Sequence, residues 1–185
     1  MNAPLLNEHK TKLMRHLGEV NIDQIQEKLR CLDDEFWISA NEHKPNKFAA
    51  LQSTQHIVLR FVSSYDDWKS SYDLPHLDQW KTMLYPVLDK ATEQYGIQNG
   101  QYSRIMFAKL PAGCKIKRHI DAAPAAKYPF KIHIPVITND RSIFCFDGHS
   151  YHFKEGNAYE VNNNIYHWAE NNGDTDRVHL IFECF

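Results

Sequence analysis

Apolar positions in the first half of the chain recur at helical spacing. Val20, Ile22, Ile25, Leu29 and Leu32 form one stripe, with Asn21 and Gln24 placed as a capping box at its start. Trp80, Met83, Leu84, Val87, Leu88, Ala91 and Tyr95 form a second, closed by Gly96 as a C-cap. Pro86 falls inside that stripe and lacks the N–H a helix needs, which predicts a kink or two abutting helices. Between the stripes, His56-Ile57-Val58-Leu59-Arg60-Phe61-Val62 reads as a strand. Ser63 to Pro75 is polar, with Tyr65, Trp68 and Tyr72 scattered through it, and predicts a long loop.

Near residue 100 the period changes from helical to alternating. Short runs such as Tyr102–Leu110, Lys115–His119, Phe130–Ile137, Ser142–Phe146, Ser150–Phe153, Ala158–Val161, Ile165–Ala169 and Arg177–Phe185 are separated by turn signals, among them Pro111-Ala112-Gly113, Asp147-Gly148 and Asn171-Asn172-Gly173-Asp174. Many short strands with regular turns predict a sandwich or jelly roll. The expected organisation is a helical or mixed part, residues 1–100, packing on a mainly β core, residues 101–185, within one compact domain. Alternation already divides two strands by face. Ile132, Ile134 and Val136 share one side of theirs, Lys131 and His133 the other; Val178 and Leu180 oppose Arg177 and His179.

Composition narrows the function classes. The chain has 185 residues, 43% hydrophobic and 24% charged, which are ordinary globular values and exclude a disordered or collagenous chain. Lys and Arg number 21 against 23 Asp and Glu, a net charge of -2 that argues against nucleic acid as a partner. No apolar run is long enough for a membrane span, and the first residues lack the apolar core of a secretory signal. Cys31, Cys114, Cys145 and Cys184 form no C-x-x-C pair. They read as reduced thiols of a cytoplasmic protein, largely in its core, rather than a zinc ribbon.

Eleven histidines invite a search for metal chemistry. In His119-Ile120-Asp121, strand alternation aims an imidazole and a carboxylate at one spot. The triplet alone also fits a surface pair. His167, on a separate expected strand, supplies a third ligand, and two His with one carboxylate make the facial triad of non-haem Fe(II) oxygenases, which leaves positions open for substrate and oxygen. Arg177, ten residues after His167, needs an anion if it faces the interior, where a lone guanidinium is costly, and otherwise fits an exposed strand end in water. His133 fits a fourth ligand, a carboxylate-binding donor or a core histidine. Arg104, Lys117, Arg118 and Lys131 are candidate cations for a substrate carboxylate, with solvated strand positions the better fit for Lys117 and Arg118 and the same alternative open for Arg104. Trp168 and Tyr166 are placed to wall the site or simply to pack. The other histidines, including His9, His56 and His149, show no ligand spacing.

Five blocks in order carry a family resemblance: Leu110-Pro111-Ala112-Gly113; His119-x-Asp121; the run Tyr128 to Asn139; Glu155 to Asn163 with His167; and Arg177-Val178-His179-Leu180-Ile181. Together they resemble the aspartyl/asparaginyl β-hydroxylase-like family, over about residues 102–185, with nothing placed in the first hundred. The Asp-containing triplet is similar to the bacterial free-proline hydroxylases of that superfamily; the vertebrate aspartyl hydroxylase branch has Gly in place of Asp121. The resemblance implies a double-stranded β-helix, a cupin-like jelly roll, and a dioxygenase using Fe(II), 2-oxoglutarate and O2. It implies that His119, Asp121 and His167 bind iron, that Arg177 holds the distal carboxylate of 2-oxoglutarate, and that His133 contacts the cosubstrate carboxylate. The implied reaction hydroxylates an amino-acid residue, a free amino acid or a related small molecule, releasing succinate and CO2, so the expected partner is a small-molecule or peptide substrate. Two departures stand out: Ala108 lies where the family has a cosubstrate-binding Ser, and Glu183 where related chains often have Asp. A cupin-like non-oxygenase using zinc or manganese, and a non-catalytic 2-oxoglutarate or amino-acid binding protein, are the alternatives on the same scaffold. The identity of the substrate and the oligomeric state are not written in these motifs.

Overall fold

Three neighbouring strands with one apolar and one polar face organise the molecule. A computed structural model describes residues 10–97 and 101–185; the division expected at residue 100, and His9, fall outside them. Eleven strands are present among the described residues: β1 (Met14–Glu19), β2 (Gln55–Ser64), β3 (Asp67–Asp73), β4 (Tyr102–Leu110), β5 (Lys115–His119), β6 (Phe130–Ile137), β7 (Ser142–Phe146), β8 (His149–Tyr151), β9 (Asn157–Val161), β10 (His167–Asn171) and β11 (Arg177–Cys184). They form a large sheet in the order β1-β9-β6-β11-β4-β2-β3 and a small one in the order β5-β10-β7-β8, with every pair antiparallel. This two-sheet arrangement is the mainly β jelly-roll architecture expected from the strand pattern.

The apolar face of the large sheet lies under helices from the first half of the chain. Ile25 and Leu29 of α1 (Asp23–Arg30), Trp37 of α2 (Asp34–Glu42) and Leu84 and Leu88 of α3 (Lys81–Thr92) share one core with Ile105, Phe107, Ile132, Ile134, Leu180 and Phe182. Each such side chain, fully buried, contributes about 1.5–3 kcal/mol relative to exposure. The opposite face meets the small sheet. There Phe144, Phe146 and Ala169 pack with Leu110, Tyr159 and Val161, and the polar residues of β4, β6 and β11 are enclosed between the sheets.

Register places those polar residues in rows. Glu183 of β11 lies opposite Arg104 of β4 and Lys131 of β6; Ile181 lies opposite Met106 and His133; His179 lies opposite Ala108 and Pro135. No helix among the described residues is long and apolar enough to cross a membrane.

Several local expectations are corrected. The loop expected from Ser63 to Pro75 is mostly the β2–β3 hairpin, with Phe61 paired to Tyr72 and Val62 to Ser71. An edge strand needs only one backbone partner and keeps polar residues in solvent, so its sequence looks like a loop. β1 forms the other edge and carries no apolar run that marks it. Pro86 does not break α3: it and Thr82 both lie on the exposed face, where water reaches the carbonyl that proline leaves without a donor. The capping box does not form either. Asn21 Oδ1 accepts from Asp23 N at 3.0 Å, and Ile22 occupies the N-cap. Gly96 does cap the second helical run, in left-handed conformation at φ 63°.

Candidate metal centre and substrate cavity

The small sheet brings His119 and His167 together because β5 and β10 pair with these two residues opposite one another. Their rings lie 4.3 Å apart between centroids. Asp121, just beyond β5, is fixed by its own backbone N–H, which donates to Asn163 O at 3.0 Å. One nitrogen from each histidine and one oxygen of Asp121 all lie within 4.8 Å of one another. The two ring orientations are set alike. His119 Nδ1 donates to Lys117 O at 2.6 Å and His167 Nδ1 to Ile165 O at 2.9 Å. A carbonyl only accepts, so each Nδ1 carries a proton and Nε2 is the nitrogen turned toward the other donors. Burial pushes the His167 imidazole down to about 4 against the pull of Asp121, so it is neutral at pH 7. Two imidazoles and a carboxylate in one small volume are a donor set for a divalent ion such as Fe(II).

The two oxygens of Asp121 have different surroundings. Oδ1 faces His119 Nε2 at 3.6 Å. Oδ2 accepts from Lys131 Nζ at 2.5 Å and from Asn163 Nδ2 at 3.3 Å. Burial alone would raise this carboxyl, but the Lys131 ammonium, then His167, hold it well below the usual carboxylate range. Lys131 also lies 3.4 Å from Glu183 Oε1, and Glu183 Oε2 accepts from Arg104 Nη1 at 2.6 Å. Burial works against the Lys131 charge, and the two carboxylates outweigh it. Cations and anions thus alternate along one cavity wall, from Arg104 through Glu183 and Lys131 to Asp121. Arg104 packs beneath Phe61 at 5.0 Å, and its buried Nε has no hydrogen-bond partner among the described residues.

These groups line a cavity of about 570 Å³, together with His133, Trp168 and Ala108. Arg177 sits in an adjoining narrow cavity with His179; Phe144 lines both. Arg177 is 2% exposed, and its Nε and Nη1 have no hydrogen-bond partner among the described residues. Burial brings its pKa down to about 10, still charged at neutral pH. An unpaired buried guanidinium is costly, and a carboxylate is the kind of group that would satisfy it. The residues therefore fit both a divalent ion and an anionic chelator. Arg118 lies apart from the cavity: it is held by Asp147 at 2.5 Å and lies over the Tyr166 ring at 3.5 Å, on the exposed surface. Lys117 is exposed as well.

Two contributors carry no signal in the sequence. Phe48, from the segment after α2, stands edge-on to His119 with centroids 5.7 Å apart and helps roof the cavity. Asn163 is fully buried and clamps Asp121 to Ala126 O, to which it donates at 2.7 Å. Neither has a telling spacing. Asn163 sits in a turn of three asparagines, and Phe48 in a polar stretch.

A family model described as aspartyl/asparaginyl beta-hydroxylase matches residues 19–185, so the family likeness reaches well into the first hundred residues. No curated protein matches the chain. Among solved structures, an oxidoreductase of the 2OG-Fe(II) oxygenase family from Burkholderia pseudomallei is similar with a TM-score of 0.54 at 13% identity, over 89% of this chain and 90% of that one. A Pseudomonas putida prolyl-4-hydroxylase gives 0.53 at 12% identity, over 100% and 98%. The viral collagen prolyl hydroxylase of Paramecium Bursaria Chlorella virus-1 gives 0.53 at 9%, over 93% and 95%. At these identities the structural likeness is one of fold, and membership rests on the match over residues 19–185: the chain belongs to the aspartyl/asparaginyl beta-hydroxylase family of 2-oxoglutarate-dependent dioxygenases.

Proposed function

We propose that this protein hydroxylates an amino-acid residue, a free amino acid or a related small molecule, using Fe(II), 2-oxoglutarate and O2 and releasing succinate and CO2. The observation that carries this reading is the convergence of His119, Asp121 and His167 donor atoms within 4.8 Å on the wall of a cavity large enough for a second molecule. In this reading the three residues hold the iron, and His133 and Arg177 receive the carboxylates of 2-oxoglutarate. Bound there, the metal and cosubstrate supply the oxidising power for C–H hydroxylation.

The chain's own residues hold, orient and shield. Lys131 and Asn163 occupy one oxygen of Asp121 and leave the other toward the imidazoles. The Nδ1–carbonyl contacts keep both imidazoles aimed at the same point. Phe48 and Trp168 limit access of water. Arg104, Lys131 and Lys47 line the cavity within reach of a substrate carboxylate, whereas Arg118 lies outside it, paired with Asp147 on the surface. The burial of Arg177 favours this reading over a cupin-like enzyme without an organic cosubstrate, which has no use for an unpaired internal guanidinium. A cytoplasmic setting belongs to the proposal, and the four cysteines are free thiols.

The test is succinate release from 2-oxoglutarate under Fe(II) and air, across a panel of free amino acids and short peptides. A substrate that stimulates release, with loss of release in His119→Ala and Asp121→Ala, is the expected result. No iron-dependent turnover with any member, or full activity in either variant, overturns it.

A further inference from the structure

His133 and His179 meet inside the protein through the same type of atom. Their Nδ1 atoms are 3.4 Å apart, and the rings are nearly perpendicular at 88°. Both residues are buried, at 5% and 3% exposure. His133 Nε2, the other ring nitrogen, is buried without a hydrogen-bond partner among the described residues, on a residue that lines the main cavity. Among the described residues, His133 is the one side chain that His179 hydrogen-bonds. Its cross-strand neighbours Ala108 and Pro135 offer no polar side chain, and Pro135 has no backbone N–H.

Burial, reinforced for His133 by Lys131 and Arg177 and for His179 by Arg177, holds both imidazoles well below their ordinary pKa. Each ring therefore carries one proton, and two facing nitrogens are compatible only when one donates and the other accepts. Two arrangements remain. If His133 donates, its Nε2 presents a bare lone pair to the cavity. If His179 donates, His133 presents Nε2–H. Arg177, on the same face of β11 as His179 and lining the same narrow cavity, has only donors. An all-donor neighbour sits better beside a bare His179 Nε2, which puts the His179 proton on Nδ1. An anionic ligand in the main cavity likewise calls for a donor on His133.

We propose that His179 is a positioning residue that fixes the tautomer of His133, so that His133 offers Nε2–H to a carboxylate of the cosubstrate. The assignment rests on the cosubstrate reading given above. It makes a two-histidine relay, rather than a single histidine, the donor on this wall. The proton stays in place during binding: His179 Nδ1–H points at His133 Nδ1, and His133 Nε2–H points at the ligand oxygen.

Two measurements decide it. Long-range ¹⁵N–¹H spectra of the ligand-free protein, assigned with His133 and His179 variants, are expected to show His133 protonated at Nε2 and His179 at Nδ1; the reverse pair of tautomers overturns the proposal. Calorimetric titration of 2-oxoglutarate into Mn(II)-loaded protein, which blocks turnover, reads the consequence. His179→Leu is expected to weaken binding about tenfold or more. His179→Asn, whose amide N–H can replace Nδ1–H, is expected to stay within about threefold of the native value. Native-like affinity in His179→Leu, or equal loss in the Leu and Asn variants, overturns it. If the leucine variant does not fold, the spectra of the native protein still decide. Native protein that fails to bind 2-oxoglutarate overturns the functional reading instead, and the tautomer spectra decide the His133–His179 assignment independently of it.

Discussion

Lys131 Nζ lies 2.5 Å from Asp121 Oδ2, and that contact divides the carboxylate into one occupied oxygen and one that faces His119. The same ammonium reaches Glu183 on the neighbouring strand. One cation therefore serves two nearly buried carboxylates, and this relationship sets the electrostatics of the whole cavity wall.

Replacing Lys131 by Met leaves those carboxylates short of a positive charge. Breaking a buried pair by removing one partner costs about 3–5 kcal/mol. Lys131→Met is therefore expected to lose stability of that order without metal. Saturating Mn(II) should restore more stability to the variant than it adds to native protein, because the ion replaces the missing charge. Urea denaturation with and without Mn(II) measures this; a loss of stability that metal leaves unchanged contradicts the assignment.

Asn163 carries no charge, so its removal isolates positioning. Asn163→Ala deletes the bonds to Asp121 Oδ2 and Ala126 O. Loss of such an outer partner typically weakens metal binding about 10–100-fold. Co(II) titration followed by its visible absorption should show a drop of at least about tenfold. An unchanged affinity with an unchanged melting temperature would mean that Asp121 needs no support from this side chain.

Arg177 sets stability against function. An unpaired buried guanidinium replaced by an apolar residue of similar size is expected to stabilise the ligand-free protein, by about 1–4 kcal/mol on the precedent of buried ion replacements. Arg177→Leu should therefore melt higher than native protein and require at least about tenfold more 2-oxoglutarate for half-maximal succinate release. A destabilised variant with native cosubstrate dependence would show the guanidinium to be structural.

Acid should unfold the protein earlier than its carboxylates alone require. Burial, then the Lys44, Lys131 and Arg177 charges, push His56 down to about 3, and burial holds His179 well below its ordinary value. The unfolded chain protonates both imidazoles as pH falls through about 6.5, while folded His56 stays neutral until about 3. Stability is thus unaffected above that upper value and declines through the window below it, by up to about 1.4 kcal/mol per pH unit for each imidazole. Denaturation midpoints compared at neutral pH and at about pH 5, inside that window, check this, and His56→Asn should flatten the slope by one proton.

Much of this molecule is written in alternation. Period-two patterning assigned Lys131 and His133, and Arg177 and His179, to faces opposite their apolar neighbours, and the fold keeps those assignments because burying the wrong face would strand charges under the helices. The spacing of His119 and Asp121 likewise marked a shared target. Edge strands were harder to read: β1 and β3 meet solvent on their exposed sides, and a backbone ladder leaves no trace in polar side chains.

Relations between distant strands were settled only by tertiary structure. Nothing local tells Glu183 that it will lie between Arg104 and Lys131, His179 that it will meet His133, or Phe48 that it will cover His119. Local sequence decides which way a side chain points, because that follows from the two-residue repeat of a strand. Which side chains it then meets depends on register and on loop closure, and both are set by the packing of the whole chain.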